Sequence, residues 1–358
     1  MKNVLLNPGP ASISMRVKMA QVVEDICPRE REFGDLMQKI SEGLLEFVDG
    51  AQDCASVLFC GSGTLAVEAT LSSVVGVGQR LGVIVNGAYG ERMVEMARYH
   101  GLEVAVFRAD FLSPLPLGEL ESFVASENLD FLALVHSETT SGILNDLEAI
   151  GRICKPRGVG LIVDCMSSFA CYRPSLEVVD FLIASSNKNI QGVAGMSFVI
   201  AKKENILKAS HARSLYLDLK AQYEYFAKEH QMRFTPPVQV AYALYEAIEE
   251  LREEGLENRF SRYQESNAIL REGLIKLGFD IYPKQGYSVI ITSVVLPSSL
   301  DFERMHDYCL ARGFTIYPGK VAGKSMFRLA NIGAIDKWDI YAFLEVLEEY
   351  LKRGEILE

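Results

Sequence analysis

An α/β fold with a largely parallel sheet is predicted by three features of residues 55–200. Strand-length apolar runs alternate with helical-period segments, several runs are apolar on both faces, and the intervening segments end in Gly or in Pro-containing stops. The predicted strands are ASVLFC (55–60), RLGVIVN (80–86), LEVAVFR (102–108), DFLALVHS (130–137), GVGLIVDC (158–165), DFLIASS (180–186) and GMSFVIA (195–201). TLAVEATLSSVVG, GERMVEMARYHG and NDLEAIGRICKPRG carry the spacing of crossover helices. After residue 235 the texture changes. TPPVQVAYALYEAIEELREEG opens with two prolines and reads as a long amphipathic helix, continued by RFSRYQESNAILREGLIKLG. The chain is therefore divided near residue 250. A large domain covers 1–250, with its N-terminal segment near the site. A smaller α+β domain covers 251–358, with strands in YSVIITSVVLP, FTIYPG and SMFRLAN and a closing helix in DIYAFLEVLEEYLKRG.

Composition narrows the functions available. The 358 residues are 49% hydrophobic and 23% charged, the mix of an ordered chain long enough for two domains. With 36 Lys and Arg against 47 Asp and Glu, no global basic field exists to hold nucleic acid or an anionic membrane, so any phosphate site must be local. The seven cysteines are scattered without a C-x-x-C pair, and the five histidines show no H-E-x-x-H, which argues against a disulfide framework or a metal centre. No signal-like N-terminus and no apolar run of roughly 18 residues is present, so a reducing cytoplasm is the expected location.

Open α/β sheets bind ligands at the carboxyl edge of their strands, and three consecutive strands end there in polar residues. These are His136–Thr139, Asp164, and Asn187–Lys188, with Glu138, Asp164 and Lys188 spaced 26 and 24 residues apart, about one βα unit each. Lys188 reads either as a desolvated, nucleophilic amine or as a surface lysine in a turn. Asp164 reads either as an electrostatic partner or as a turn cap. Gly61-Ser62-Gly63-Thr64 follows a strand and opens a helix, which suits an anion or merely caps a turn. Gly61, Gly63 and Ala66 also match the dinucleotide pattern G-x-G-x-x-A, but RLGVIVN ends in Asn86 and Gly87 with no acid placed to hold a ribose. A nicotinamide-dependent oxidoreductase is the less favoured alternative. A phosphate cradle, an aromatic at a strand end (Tyr89), a strand-end aspartate and a strand-end lysine together are what pyridoxal phosphate requires.

The chain resembles the class V aminotransferases of the type I pyridoxal phosphate-dependent transferase fold, and within them the branch acting on 2-aminoethylphosphonate and pyruvate. The resemblance runs through LLNPGP, DICPREREF, GSGTLAVEA, NGAYGERM, HSETTSGILND, VDCMSSF, SSNKNIQGVAG, RFTPP and FRLANIG. It implies a homodimeric aminotransferase using pyridoxal 5'-phosphate, with Lys188 as the Schiff-base lysine and Asp164 as partner of the ring nitrogen. It further implies that Ser62, Gly63 and Thr64 hold the phosphate, Tyr89 stacks on the ring and Met166 packs on its other face. Thr139 would bond the ring 3-oxygen, Asn187 would sit by the phosphate, and Thr235 would reach the phosphate of the neighbouring subunit in a shared site. Arg328 looks like the arginine that holds the acidic end of the substrate. Arg29, with Glu30 and Arg31, reads either as an extension of that site or as a solvated charged loop. The chain departs from the family pattern at Met232, where an aromatic is expected, and at Asn189 and Gln191, where Cys and Glu are expected. An alanine–glyoxylate or serine–pyruvate type aminotransferase is the alternative within the fold. Cys309 falls in the helical segment DFERMHDYCLARG, which disfavours cysteine desulfuration.

Overall fold

The computed structural model describes residues 3–321 and 324–354. All seven strands expected before residue 202 form one sheet, in the order Cys54–Cys60, Met196–Lys202, Phe181–Ser185, Gly160–Asp164, Phe131–Val135, Arg80–Val85, Glu103–Arg108. Six of them run in one direction, and Met196–Lys202 is antiparallel to both of its neighbours. The reason is connection length. Residues 186–195 are too few for a crossover, which takes roughly a dozen or more, so the chain can only turn back on itself.

Alternate residues of the central strands enter two separate cores. Leu132, Leu134, Leu161, Val163 and Leu182 face one helical layer, while Ala133, Val135, Ile162, Phe181 and Ile183 face the other. This is why these strands read as apolar without alternation. The first layer includes a helix absent from the sequence reading, Arg31–Leu45, whose Phe33, Leu36, Met37, Ile40 and Leu44 are buried at helical spacing. Its charged opening turn had suggested a loop, whereas Arg31 and Glu32 are simply its solvent side. Helices Leu117–Ser126 and Leu219–Glu229 are also additional.

The C-terminal unit is a four-stranded antiparallel sheet in the order Ile281–Tyr282, Ile291–Val295, Lys324–Ala330, Tyr317–Val321, packed against helices Leu256–Lys276, Phe302–Leu310 and Lys337–Gly354. The change of unit falls at Gly255 (φ 82°), where helix Val238–Glu254 ends and Leu256–Lys276 begins. One correction to the expected division concerns the N-terminus. Strand Val4–Leu5 pairs in parallel with Phe314–Thr315, and Val4 and Leu6 bury beside Phe327 and Phe343 of the C-terminal unit. Its apolar side chains are covered there, so the first residues belong to the small unit by packing. Among the described residues no helix is long and apolar enough to cross a membrane.

Candidate active site

Strand register brings the expected edge residues side by side. Val135 pairs with Asp164 and Asp164 with Ile183, so the turns that carry Glu138, Asp164 and Lys188 leave the sheet next to one another. Asp164 is 6% exposed, and its Oδ1 accepts the Met166 N–H at 2.8 Å. Burial pushes its carboxyl up to about 7; the Met166 bond and nearby Lys188 and Arg92 oppose this, and Glu138 reinforces it. Burial lowers the Lys188 amine to about 8, with Asp164 pulling the other way and Arg328 adding to the depression. A desolvated amine that titrates near neutrality beside a buried acid is a nucleophile in waiting. Lys188 Nζ donates to the Pro8 carbonyl at 2.6 Å, and the Ala11 N–H donates to the Asn187 carbonyl at 3.0 Å, so the N-terminal segment runs over the lysine. Gly9, at φ 132°, leaves room for it: a Cβ there would overlap the end of the Lys188 side chain.

Ser62 occupies the N-cap of helix Gly63–Val74 without a side-chain cap bond, and Ser62 and Thr64 are exposed. Their hydroxyls and the positive helix end are thus open to an anion. Met166 leans over this cradle, where a Cβ on Gly63 would overlap its sulfur. Tyr89 stands on the first turn of helix Ala88–Tyr99, half-buried, with the Arg92 guanidinium 4.9 Å from its ring centroid. Thr139 Oγ1 is 2.7 Å from Ser167 Oγ. Arg328 crosses from the small unit: its Nη1 donates to the Thr139 carbonyl at 3.2 Å and its Nη2 to the Pro318 carbonyl at 3.4 Å, with the Tyr317 ring 4.9 Å away. Its Nε is buried with no partner among the described residues.

Family comparison agrees with this geometry. Residues 15–328 match the model of the family described as aminotransferase class-V. The chain is a class V aminotransferase. It is 38% identical over 355 residues to a 2-aminoethylphosphonate–pyruvate transaminase of Lysinibacillus sphaericus, covering 97% of each chain. It is also 38% identical over 361 residues to the Vibrio vulnificus protein of the same name, covering 98% of each. Among solved structures, alanine–glyoxylate aminotransferase from Nostoc sp. superposes with a TM-score of 0.90 at 27% identity, over 98% of this chain and 96% of that one.

Class V aminotransferases use pyridoxal 5'-phosphate, and the residues of this aminotransferase fit it. The uncapped helix start with Ser62, Gly63 and Thr64 suits a phosphate dianion. The buried Asp164 carboxyl, in no ion pair among the described residues, suits a protonated ring nitrogen, and the desolvated Lys188 amine suits an aldehyde.

Two expected residues make no side-chain bond to this group among the described residues, although the Thr235 carbonyl accepts the Cys60 thiol at 3.7 Å beside the cradle. Arg29 Nη1 donates to the Met232 carbonyl at 2.6 Å and Nη2 to the Arg233 carbonyl at 3.3 Å, while Gln231 Nε2 donates to the Arg29 carbonyl at 2.8 Å. Within one chain it therefore fixes residues 231–233 instead of extending the Arg328 group. Thr235 is exposed, and the helix that follows starts at Val238 with Pro237 in the cap position, so Thr235 does not cap its own helix. The departures from the family pattern are accommodated. Met232 is buried with its sulfur 3.8 Å from that of Cys60, the residue before the phosphate cradle. Asn189 donates to the carbonyls of Ser167 (2.9 Å) and Phe169 (3.1 Å), tying the Lys188 turn to the Asp164 turn. Gln191 donates to Tyr263 OH at 2.8 Å. Sequence reasoning missed the roles of Pro8, Gly9 and Ser167. LLNPGP had entered only as part of a resemblance, and no spacing rule links it to residue 188.

Proposed function

We propose that this aminotransferase moves the amino group of 2-aminoethylphosphonate to pyruvate, giving phosphonoacetaldehyde and L-alanine. The observation that carries the reading is similarity to proteins of that name along nearly the full length of both chains. The geometry supports it through Arg328, a guanidinium with an unpaired Nε beside Lys188, because phosphonate and carboxylate substrates both present an anion for a planar fork. When bound, pyridoxal phosphate supplies the carbonyl that takes the amine and the electron sink for the carbon next to it. Arg328 holds the acidic end of donor and acceptor in turn, which gives the two half-reactions one binding site. With the cofactor bound, the Lys188 amine would take the proton from the amine-bearing carbon and return one to the carbonyl carbon of the acceptor. Asp164 keeps the ring nitrogen protonated. Ser62, Gly63 and Thr64 would hold the phosphate, Tyr89 and Met166 would pack on the ring, Thr139 would bond its 3-oxygen, and Asn187 would lie by the phosphate. Arg29 contributes indirectly by fixing residues 231–233.

The test follows alanine made from pyruvate with 2-aminoethylphosphonate, serine or taurine as donor, and glycine made from glyoxylate with alanine as donor. The highest kcat/KM is expected for 2-aminoethylphosphonate with pyruvate. Faster transfer from alanine to glyoxylate would reassign the enzyme to the type of its Nostoc structural neighbour.

The working unit in this reading is a cytoplasmic homodimer in which the exposed Thr235 hydroxyl meets the phosphate held by the other chain. An inactive Lys188→Ala chain mixed with a Thr235→Val chain would then form heterodimers with one doubly damaged site and one intact site. Regained activity after subunit exchange is expected. A mixture no more active than its parents would rule out the shared site.

A further inference from the structure

Glu138 is fully buried, yet nothing in the reaction above uses its carboxyl. Its surroundings show what it does hold. Oε1 accepts the Thr140 N–H at 3.0 Å and the Thr140 hydroxyl at 2.5 Å, while Oε2 is buried with no hydrogen-bond partner among the described residues. The Thr140 hydroxyl oxygen in turn accepts the Ala88 N–H at 2.9 Å. Ala88, Tyr89 and Gly90 open helix Ala88–Tyr99, whose own N-cap, Gly87, has no side chain to offer. Gly87 cannot carry one either, because a Cβ would overlap the Glu138 carboxyl. The Ala88 N–H at the helix start is therefore met from outside the helix, by the Thr140 hydroxyl that Glu138 in turn holds.

Thr140 and its neighbour Thr139 also reach toward the small unit. The Thr139 carbonyl receives Arg328 Nη1, and the Thr140 carbonyl receives the Ser293 hydroxyl at 3.4 Å, both from the small unit. We propose that Glu138, with Thr140, is a positioning residue that clamps the start of the Ala88–Tyr99 helix and so sets the Tyr89 ring against the cofactor ring. The proposal rests on the stacking role given to Tyr89 above. Burial raises the Glu138 pKa while the donors around it oppose the shift, consistent with a carboxyl held for its acceptors. A glutamine oxygen is a neutral and weaker acceptor than a carboxylate oxygen, so Glu138→Gln weakens both bonds to Thr140 and loosens the clamp with little change of shape.

The experiment measures binding of pyridoxine 5'-phosphate, which has no aldehyde and cannot join Lys188, to the cofactor-free protein. Glu138→Gln and Tyr89→Ala are each expected to weaken binding about tenfold, on the scale of one lost hydrogen bond or stacking contact. The double variant should bind no more weakly than Tyr89→Ala alone. A tenfold loss from Glu138→Gln that persists in the Tyr89→Ala background would overturn the clamp. If Tyr89→Ala by itself left affinity unchanged, the stacking role of Tyr89 would fall instead. Thr140→Val, which removes the hydroxyl that links Glu138 to the Ala88 N–H, supplies a second route should Glu138→Gln not fold. Its loss too should vanish in the Tyr89→Ala background, with melting temperature followed as the measure of general damage.

Discussion

Asp164 and Arg328 bring opposite charges to one site, and the protein holds them by different means. Asp164 ends a strand in the middle of the parallel sheet, paired on both sides and sealed between two apolar layers. Arg328 lies on an antiparallel strand of the small unit, between Ser293 and Tyr317, and touches the large unit through one long bond to a carbonyl. The acid is fixed and desolvated, so its field is strong. The guanidinium is half-buried, and among the described residues no carboxylate pairs with it, so it stays available to an incoming anion. In the proposed reaction the proton-holding acid then lies on the central sheet and the anion-holding arginine on the edge of the small unit's contact with it.

That contrast predicts unequal damage. Asp164→Asn should lower kcat by about 10²-fold or more, because a neutral amide cannot hold a proton on the ring nitrogen. KM for both substrates should change little, and the lysine-bound cofactor should still absorb. Near-normal turnover would show that the acid at the sheet edge is dispensable. Gly9→Ala should come next, at about 10²-fold in the same direction, since the new methyl overlaps Lys188 and displaces a reacting group. Here the fraction of cofactor trapped on residue 188 by borohydride should fall with the rate.

The small unit should respond in the other parameter. Arg328→Lys is expected to raise KM for donor and acceptor by about tenfold or more, because an ammonium cannot present two parallel donors. kcat should be better preserved than in Asp164→Asn. Weakening of pyruvate alone would place the phosphonate elsewhere and end the idea of one anion site for both half-reactions.

The legibility of the sequence follows the same division. The strands and their polar ends were readable because sheet positions obey local rules: apolar runs, a βα spacing, a helix start after Gly61. Asp164, Lys188 and the Ser62–Thr64 cradle needed only that grammar to become candidates. Arg328 and Thr235 did not, since nothing local marks an arginine on an antiparallel strand as facing residue 188, and only resemblance singled them out. Arg31–Leu45 was missed because its charged first turn hid a regular apolar face. The pairing of the N-terminal strand with Phe314–Thr315 was not legible because it joins segments some 300 residues apart.

The smallest effect concerns the charge that each unit lends to Lys188. In the cofactor-free protein the amine titrates near 8, lowered from 10.5 by burial, raised by Asp164 and lowered by Arg328. Its reaction with an acylating reagent should therefore rise about tenfold per pH unit up to about 8 and then level. Asp164→Asn should move that break to lower pH and Arg328→Gln to higher pH, opposite shifts from opposite charges. Between about 8 and 10.5 the unfolded chain binds the proton that the folded Lys188 has lost, so this group makes stability rise with pH across that window. Asp164 has the reverse sign. From 3.8 to about 7 the folded acid keeps a proton that the unfolded chain releases, so its contribution falls as pH rises. His136, lowered from 6.5 to about 4 by burial, acts with the opposite sign in part of the same window. The Asp164 contribution is therefore read as the difference between urea melts of the cofactor-free protein and of Asp164→Asn at pH 5 and 7, the variant gaining relative to the protein as pH rises. An unchanged slope in the variant would mean that the carboxyl is already ionised in the folded chain, and that the sheet edge is less desolvated than its burial implies.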